Sequence, residues 1–286
     1  MIENFKVIDV MNYPNYTAEG RDMFYDGPET SMLLKHGSKD MLPPPLTTEQ
    51  FVKQMDDTGH DKVFLCAVKM GSYRCRTMNV DYSNEMVYEE VKKAPDRLVG
   101  ICGYDPLNVM DSLRAIEKAV KEYGFKGVYA HPITWGIAAN DRRMYPVYAK
   151  CVELDIPFSM QVGQSYEPLP SEPGRPIYVD QVALDFPELK LICSHTGYPW
   201  HEEVVALASK FDNVYIDCSA HPPKVVATRM KALLDFMDSG LGRRKVMYGT
   251  NSMPFQMVTP GFMQLPLKDE SKAAILGENA IKLFKL

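Results

Sequence analysis

No apolar run in this chain of 286 residues approaches the roughly 18 that a membrane-crossing helix needs, which argues against membrane spans. Charge of one sign is scarce too. Lys and Arg number 32 against 37 Asp and Glu, a net charge of −5, and the basic residues are scattered. The sequence therefore lacks the electrostatic footprint of a nucleic-acid binder. Low-complexity tracts and short-period repeats are absent. Six cysteines are present, but no two form a Cys-x-x-Cys pair. Cys66, Cys102, Cys193 and Cys218 lie inside or at the end of apolar runs, as expected of buried, reduced thiols in a cytoplasmic protein. The first ten residues, Met-Ile-Glu-Asn-Phe-Lys-Val-Ile-Asp-Val, lack the charged-then-apolar order of a secretory signal. What remains is an ordinary globular composition, 45% hydrophobic and 24% charged.

Short β-rich runs recur at Phe5–Met11, Lys62–Val68, Arg97–Gly103, Phe125–Ala130, Ile156–Gln161, Leu189–Ser194, Asn213–Cys218 and Arg244–Gly249. Several are continuous Val- and Ile-rich stretches, the pattern of strands buried on both faces. Helical periodicity follows at Thr47–Thr58, Tyr82–Lys93, Val109–Tyr123, Asp141–Leu154, Tyr178–Asp185, Glu202–Phe211, Lys224–Met237 and Lys268–Phe284. Thr48-Glu49-Gln50-Phe51 offers capping chemistry at the start of the first of these, and Gly59 and Gly124 stand where two helices should stop. Strict alternation of strand and helix implies parallel strands with helical crossovers. Eight of each predicts an α/β fold, a (β/α)8 TIM barrel spanning residues 1–286 as one domain. An open doubly wound sheet is the runner-up, but no Gly-x-Gly-x-x-Gly follows an early strand. One gap is long: residues 12–46, rich in Pro, Tyr, Asn and Gly, form an insertion after strand 1, expected as a lid or partner surface over the barrel mouth.

Barrel chemistry sits at the C-terminal ends of the strands. Read in order, those ends are Met11-Asn12-Tyr13, Lys69, Tyr104-Asp105, Tyr129-Ala130-His131, Gln161, His195, Asp217-Cys218 and Asn251. This set is polar enough to line a pocket but poor in carboxylate–histidine pairs.

The segment Ala183-Leu184-Asp185-Phe186-Pro187-Glu188-Leu189-Lys190, leading to Ser194-His195-Thr196-Gly197 and Pro199-Trp200, resembles the amidohydrolase superfamily. The similar branch is the amidohydrolase-related one that includes aminocarboxymuconate-semialdehyde decarboxylase, resorcylate decarboxylases and oxalomesaconate hydratase. Gly127-Val128-Tyr129-Ala130-His131-Pro132, Asn213-Val214-Tyr215-Ile216-Asp217, Lys245-Val246-Met247-Tyr248-Gly249-Thr250 and Gly277-Glu278-Asn279-Ala280 extend the likeness to the last helix. The resemblance implies one or two divalent metals held by a His-x-His at the first strand, histidines at the fifth and sixth, and an Asp at the eighth that also handles protons. Here the first-strand position reads Met11-Asn12-Tyr13, the fifth-strand histidine is Gln161 and the eighth-strand aspartate is Asn251. His195 alone keeps its ligand position. Neutral amides are weak ligands for a divalent metal, and Asn251 takes no proton near neutral pH.

The resemblance thus implies a barrel with a degraded metal centre. As an enzyme it would be hydrolase- or carboxy-lyase-like, acting on a small carboxylated or cyclic compound without a cofactor. His195 and His131 would move protons while Tyr13, Tyr129, Gln161 and Asn251 orient the ligand. As an alternative it would be a non-catalytic subunit, pairing with an active metal-dependent paralogue as in heteromeric metal oxygenases; the expected assembly is a homo-oligomer or a hetero-oligomer with such a paralogue. A third reading places a divalent metal in an altered site around His195, helped by His131 or Asp217. The bland reading makes His195 and His131 backbone-bonded turn residues and Asp217 a structural acceptor. His201 and His221 are expected at the surface or at helix caps.

Overall fold

The computed structural model describes residues 2–31 and 44–286; residues 32–43 of the insertion lie outside the described part. In chain order the strands are β1 (Ile8–Asn12), β2 (Lys62–Cys66), β3 (Val68–Gly71), β4 (Met78–Tyr82), β5 (Leu98–Gly103), β6 (Val128–Ala130), β7 (Phe158–Gln161), β8 (Leu191–Ser194), β9 (Val214–Asp217) and β10 (Val246–Met247). Eight of them form one parallel sheet in the order β1-β2-β5-β6-β7-β8-β9-β10. Its two edges meet. The Val10 amide donates to the Tyr248 carbonyl at 3.0 Å, and the Asn251 amide to the Met11 carbonyl at 2.8 Å. The alternation expected from the sequence is therefore a closed TIM barrel.

The seam carries buried polar bonds as well. Asp9, 0% exposed, accepts from the Thr250 amide at 3.0 Å and the Thr250 hydroxyl at 2.5 Å. Asn12 Oδ1 lies 3.2 Å from the same hydroxyl and accepts from the Ser252 amide at 3.0 Å. Two short polar side chains on the first strand thus hold the loop after the last strand. Burial pushes the Asp9 carboxyl up to about 7.

Inside the barrel, Ile8, Phe64, Cys66, Ile101, Ile192 and Met247 pack into one apolar cluster. Phe284 of the C-terminal helix meets Phe64 edge to face, ring centroids 4.7 Å apart, and closes the bottom. The helix Thr48–Thr58 opens on a capping box between Thr47 and Gln50 and ends on Gly59 at φ +76°, the left-handed geometry glycine adopts without strain.

Three features depart from the sequence reading. Val68, read as the end of a barrel strand, starts a separate antiparallel hairpin, β3 with β4. The helix expected over Lys224–Met237 breaks at Met230 into Pro223–Arg229 and Lys231–Met237. Two helices were not anticipated, Ala18–Tyr25 in the insertion and Phe255–Met263 after the last strand. Among the described residues, no helix is long and apolar enough to cross a membrane.

Candidate active site at the barrel mouth

At the C-terminal ends of the strands lies a cavity of about 130 Å³. Tyr13, His131, Gln161, His195 and Asn251, all singled out from the sequence, line it. So do residues the sequence reading missed: Asn15, Phe24 and Met70, the run Gln164-Ser165-Tyr166-Glu167, and Ala220-His221. A second hollow of about 140 Å³ shares Tyr13 and Asn15 and reaches toward Arg21 and Phe255.

A buried hydrogen-bond relay runs behind the cavity. The Tyr13 hydroxyl donates to the Tyr129 hydroxyl at 3.0 Å, and the Tyr129 hydroxyl lies 3.4 Å from His195 Nε2. On the other side of the imidazole, His195 Nδ1 is 2.7 Å from Ser219 Oγ, which donates to Asp217 Oδ2 at 3.0 Å. The Ser219 amide donates to Asp217 Oδ1 at 2.8 Å. Ser219 owns one hydroxyl proton, and the carboxylate takes it. Its oxygen is thereby an acceptor toward His195, so Nδ1 carries the imidazole proton and Nε2 the lone pair. Every member is 8% exposed or less.

Burial governs the charges. It holds His195 well below the ordinary imidazole value, helped by nearby His131 and His221, and it lowers His131 as well. Both rings are neutral at neutral pH. Burial likewise keeps the Tyr13 and Tyr129 phenols protonated and pushes the Asp217 carboxyl up to about 6.

Tyr129 corrects an expectation. It is 0% exposed and does not line the cavity; it stands behind Tyr13 and His195 and touches both. His221 corrects another, since it reaches the cavity wall with Nδ1 3.3 Å from Thr196 Oγ1 rather than capping a helix. Asp217 is the acceptor its bland reading proposed, but for the serine that holds His195. Lys69, Tyr104 and Asp105 belong elsewhere: Lys69 pairs with Asp81, the Tyr104 hydroxyl donates to the Arg143 carbonyl, and Asp105 accepts from the Leu107 amide.

Two wall residues hold polar atoms without a partner, both ring nitrogens of His131 and Oδ1 of Asn251. Such buried atoms are costly unless something in the cavity satisfies them. A divalent metal is a poor candidate. The positions to which the family resemblance assigns ligands supply a thioether, a phenol, two amides and one imidazole. The phenol and both nitrogens of that imidazole are engaged in the relay. Among the described residues, no three His, Cys, Asp or Glu side chains are grouped to hold a metal ion. Purified without added metal, the chain is expected to carry only a small fraction of an equivalent of manganese, zinc or iron. Elemental analysis checks this, and stoichiometric metal would make His195 the first ligand to replace.

The sequence profile described as Amidohydrolase matches residues 36–286. A curated relative, 2-keto-4-carboxy-3-hexenedioate hydratase of Sphingobium sp. (strain NBRC 103272 / SYK-6), is 29% identical over 139 residues. That stretch covers 41% of this chain and 41% of the relative, well under two thirds of its length. Among solved structures, an uncharacterised TIM-barrel protein from Bordetella bronchiseptica superposes with a TM-score of 0.75 at 22% identity, covering 98% of both chains. The 5-carboxyvanillate decarboxylase of Novosphingobium aromaticivorans, complexed with manganese and 4-hydroxy-3-methoxy-5-nitrobenzoic acid, gives 0.71 at 18% identity. It covers 99% of this chain and 97% of its own. At such identities the two structures speak for the fold.

Proposed function

The chain belongs to the amidohydrolase family, and from that premise we propose that it is a lyase- or hydrolase-type enzyme. In this reading it performs acid–base chemistry on a small carboxylated or cyclic compound without a metal ion. One observation carries the proposal: the directed relay Tyr13–Tyr129–His195–Ser219–Asp217, which the cavity meets at Tyr13 and His195. A proton leaving the bound compound in an elimination, or the attacking water in an addition or hydrolysis, ends on His195 Nε2. The imidazolium so formed keeps its Nδ1–H on Ser219, and the Asp217 carboxylate behind that serine stabilises the new charge. Returned along the same path, the proton completes an elimination, an addition of water or a hydrolysis. Gln161 stiffens the wall, its amide donating to the Gln164 carbonyl at 3.1 Å.

His195→Ala is expected to lower the turnover number of the purified homomer about 10²–10⁴-fold, the range typical of lost acid–base catalysis. The thermal midpoint should stay near that of the parent protein. A panel of small cyclic compounds, carboxylated and neutral, provides the assay. Full activity in a folded His195→Ala variant would discard the relay. Turnover that appears only on coexpression with a metal-binding paralogue would move the chain to the supporting-subunit reading.

A further inference from the structure

The cavity wall at the barrel mouth carries a buried carboxylate. Glu167 lines it at 7% exposure, its carboxylate held by the Ser165 hydroxyl. Among the described lining residues there is no Lys or Arg. Besides Glu167 the wall offers the neutral side chains of Tyr13, Gln161 and Asn251. We propose that the cavity accepts an uncharged or cationic ring compound that donates hydrogen bonds, and rejects carboxylates. This rests on the reading of the cavity as the functional site.

The argument is one of matching charge and hydrogen-bond sense. A carboxylate entering here would shed its water, find no counter-charge on the described wall and face Glu167. Three acceptors on the wall repel an anion or await a donor: the Glu167 carboxylate, the unpartnered Asn251 Oδ1 and the bare nitrogen of neutral His131, whose other, likewise unpartnered nitrogen is the donor. An amidinium or an ammonium carries enough N–H donors for all three, and a primary amide or neutral amine supplies two of them. Phe24, Tyr13 and Met70 add apolar surface against which a flat ring can pack. A volume of about 130 Å³ suits one six-membered ring with a short substituent.

Three probes of nearly the same shape separate the possibilities: benzoate, benzamide and benzamidine, anionic, neutral and cationic at pH 7.5. Each is titrated into the full-length protein by calorimetry, and the histidine side-chain resonances are followed by nitrogen-15 NMR. Benzamide and benzamidine are expected to bind at least tenfold tighter than benzoate and to move the His131 resonances. Glu167→Gln should erase the advantage of benzamidine over benzamide while leaving benzamide affinity within about twofold. Benzoate binding as tightly as benzamide overturns the proposal. So does an unchanged ranking in Glu167→Gln, binding that leaves His131 unmoved, or no binding by any probe. The ranking in the parent protein decides even where the variant folds poorly. His195→Ala separates this inference from the relay: loss of turnover with an intact ranking supports both, and intact turnover discards only the relay.

Discussion

Asp217→Asn is expected to turn the His195 imidazole over to its other tautomer and to cut turnover by about 10²–10⁴-fold, in a protein that remains folded. The carboxylate takes the only hydroxyl proton of Ser219, which leaves Ser219 Oγ an acceptor for His195 Nδ1–H at 2.7 Å. With Asn at 217, the side-chain oxygen can still accept from the Ser219 amide, but the group facing Ser219 Oγ becomes an NH2 donor. Ser219 must then point its proton at His195 Nδ1. The imidazole proton moves to Nε2, and the lone pair that serves as base is gone. Nitrogen-15 shifts of the His195 ring read this directly, without any substrate. An Nδ1–H tautomer in Asp217→Asn would refute the relay direction.

The same inversion is expected in the parent protein as pH falls. Burial pushes Asp217 up to about 6, from an ordinary 3.8. Below about 6 the group is protonated and donates to Ser219, so the acidic limb of the rate profile should fall there, and Asp217→Asn should lack that limb. The sign for stability runs the other way. A carboxyl whose folded pKa is raised contributes stability that is complete below 3.8 and lost as pH rises through about 6. A shift of this size corresponds to roughly 3 kcal/mol. The ionised form the relay needs is therefore the one the fold resists. Asp217→Asn is expected to be at least as stable as the parent at pH 8, by urea denaturation.

Gly163→Ala should be a severely damaging small change at the mouth. Gly163 sits at φ +92°, and a Cβ there would lie 2.5 Å from the Tyr198 carbonyl oxygen and 2.7 Å from the Gly197 carbonyl carbon. Both obstacles are backbone. Neither side gives easily, because the Gln164 amide donates to the Tyr198 carbonyl at 2.8 Å while the Gly163 amide is itself held by the Gly174 carbonyl at 2.6 Å. Left-handed strain alone costs about 1–3 kcal/mol, and the clash adds to it. The expected outcome is a loss of about 3 kcal/mol or more in urea denaturation. Because Gly163 begins the run that carries Gln164 and Glu167, weaker benzamidine binding should accompany it. A midpoint equal to the parent's would mean that the loop relaxes freely.

Much of the fold was legible because burial imposes periods on the sequence. Strands buried on both faces must be apolar throughout, so runs such as Leu189–Ser194 and Asn213–Cys218 stand out, and each was found within two residues at either end. The β3–β4 hairpin was hidden because Val68 continues an apolar run and no Asn-Gly or Asp-Gly turn marks its tip. The break at Met230 has neither Pro nor Gly to announce it; packing decides it.

The site divides along the same line. The sequence by itself determined which side chains end the strands, and hence that His195, Gln161, Tyr13 and Asn251 would meet at one mouth. It also determined that the positions the family resemblance assigns to metal ligands read Met11, Tyr13, Gln161 and Asn251 beside His195. Only the tertiary structure decided what those residues do. Ser219 stands 24 positions from His195, and Glu167 and His221 sit on loops with no periodicity to place them. Tyr129 was brought behind the wall rather than into it. Closure of the barrel joined β1 to β10 across some 240 residues. Loop placement, proton direction and cavity charge arise from contacts between segments distant in the chain, and no local pattern encodes such contacts.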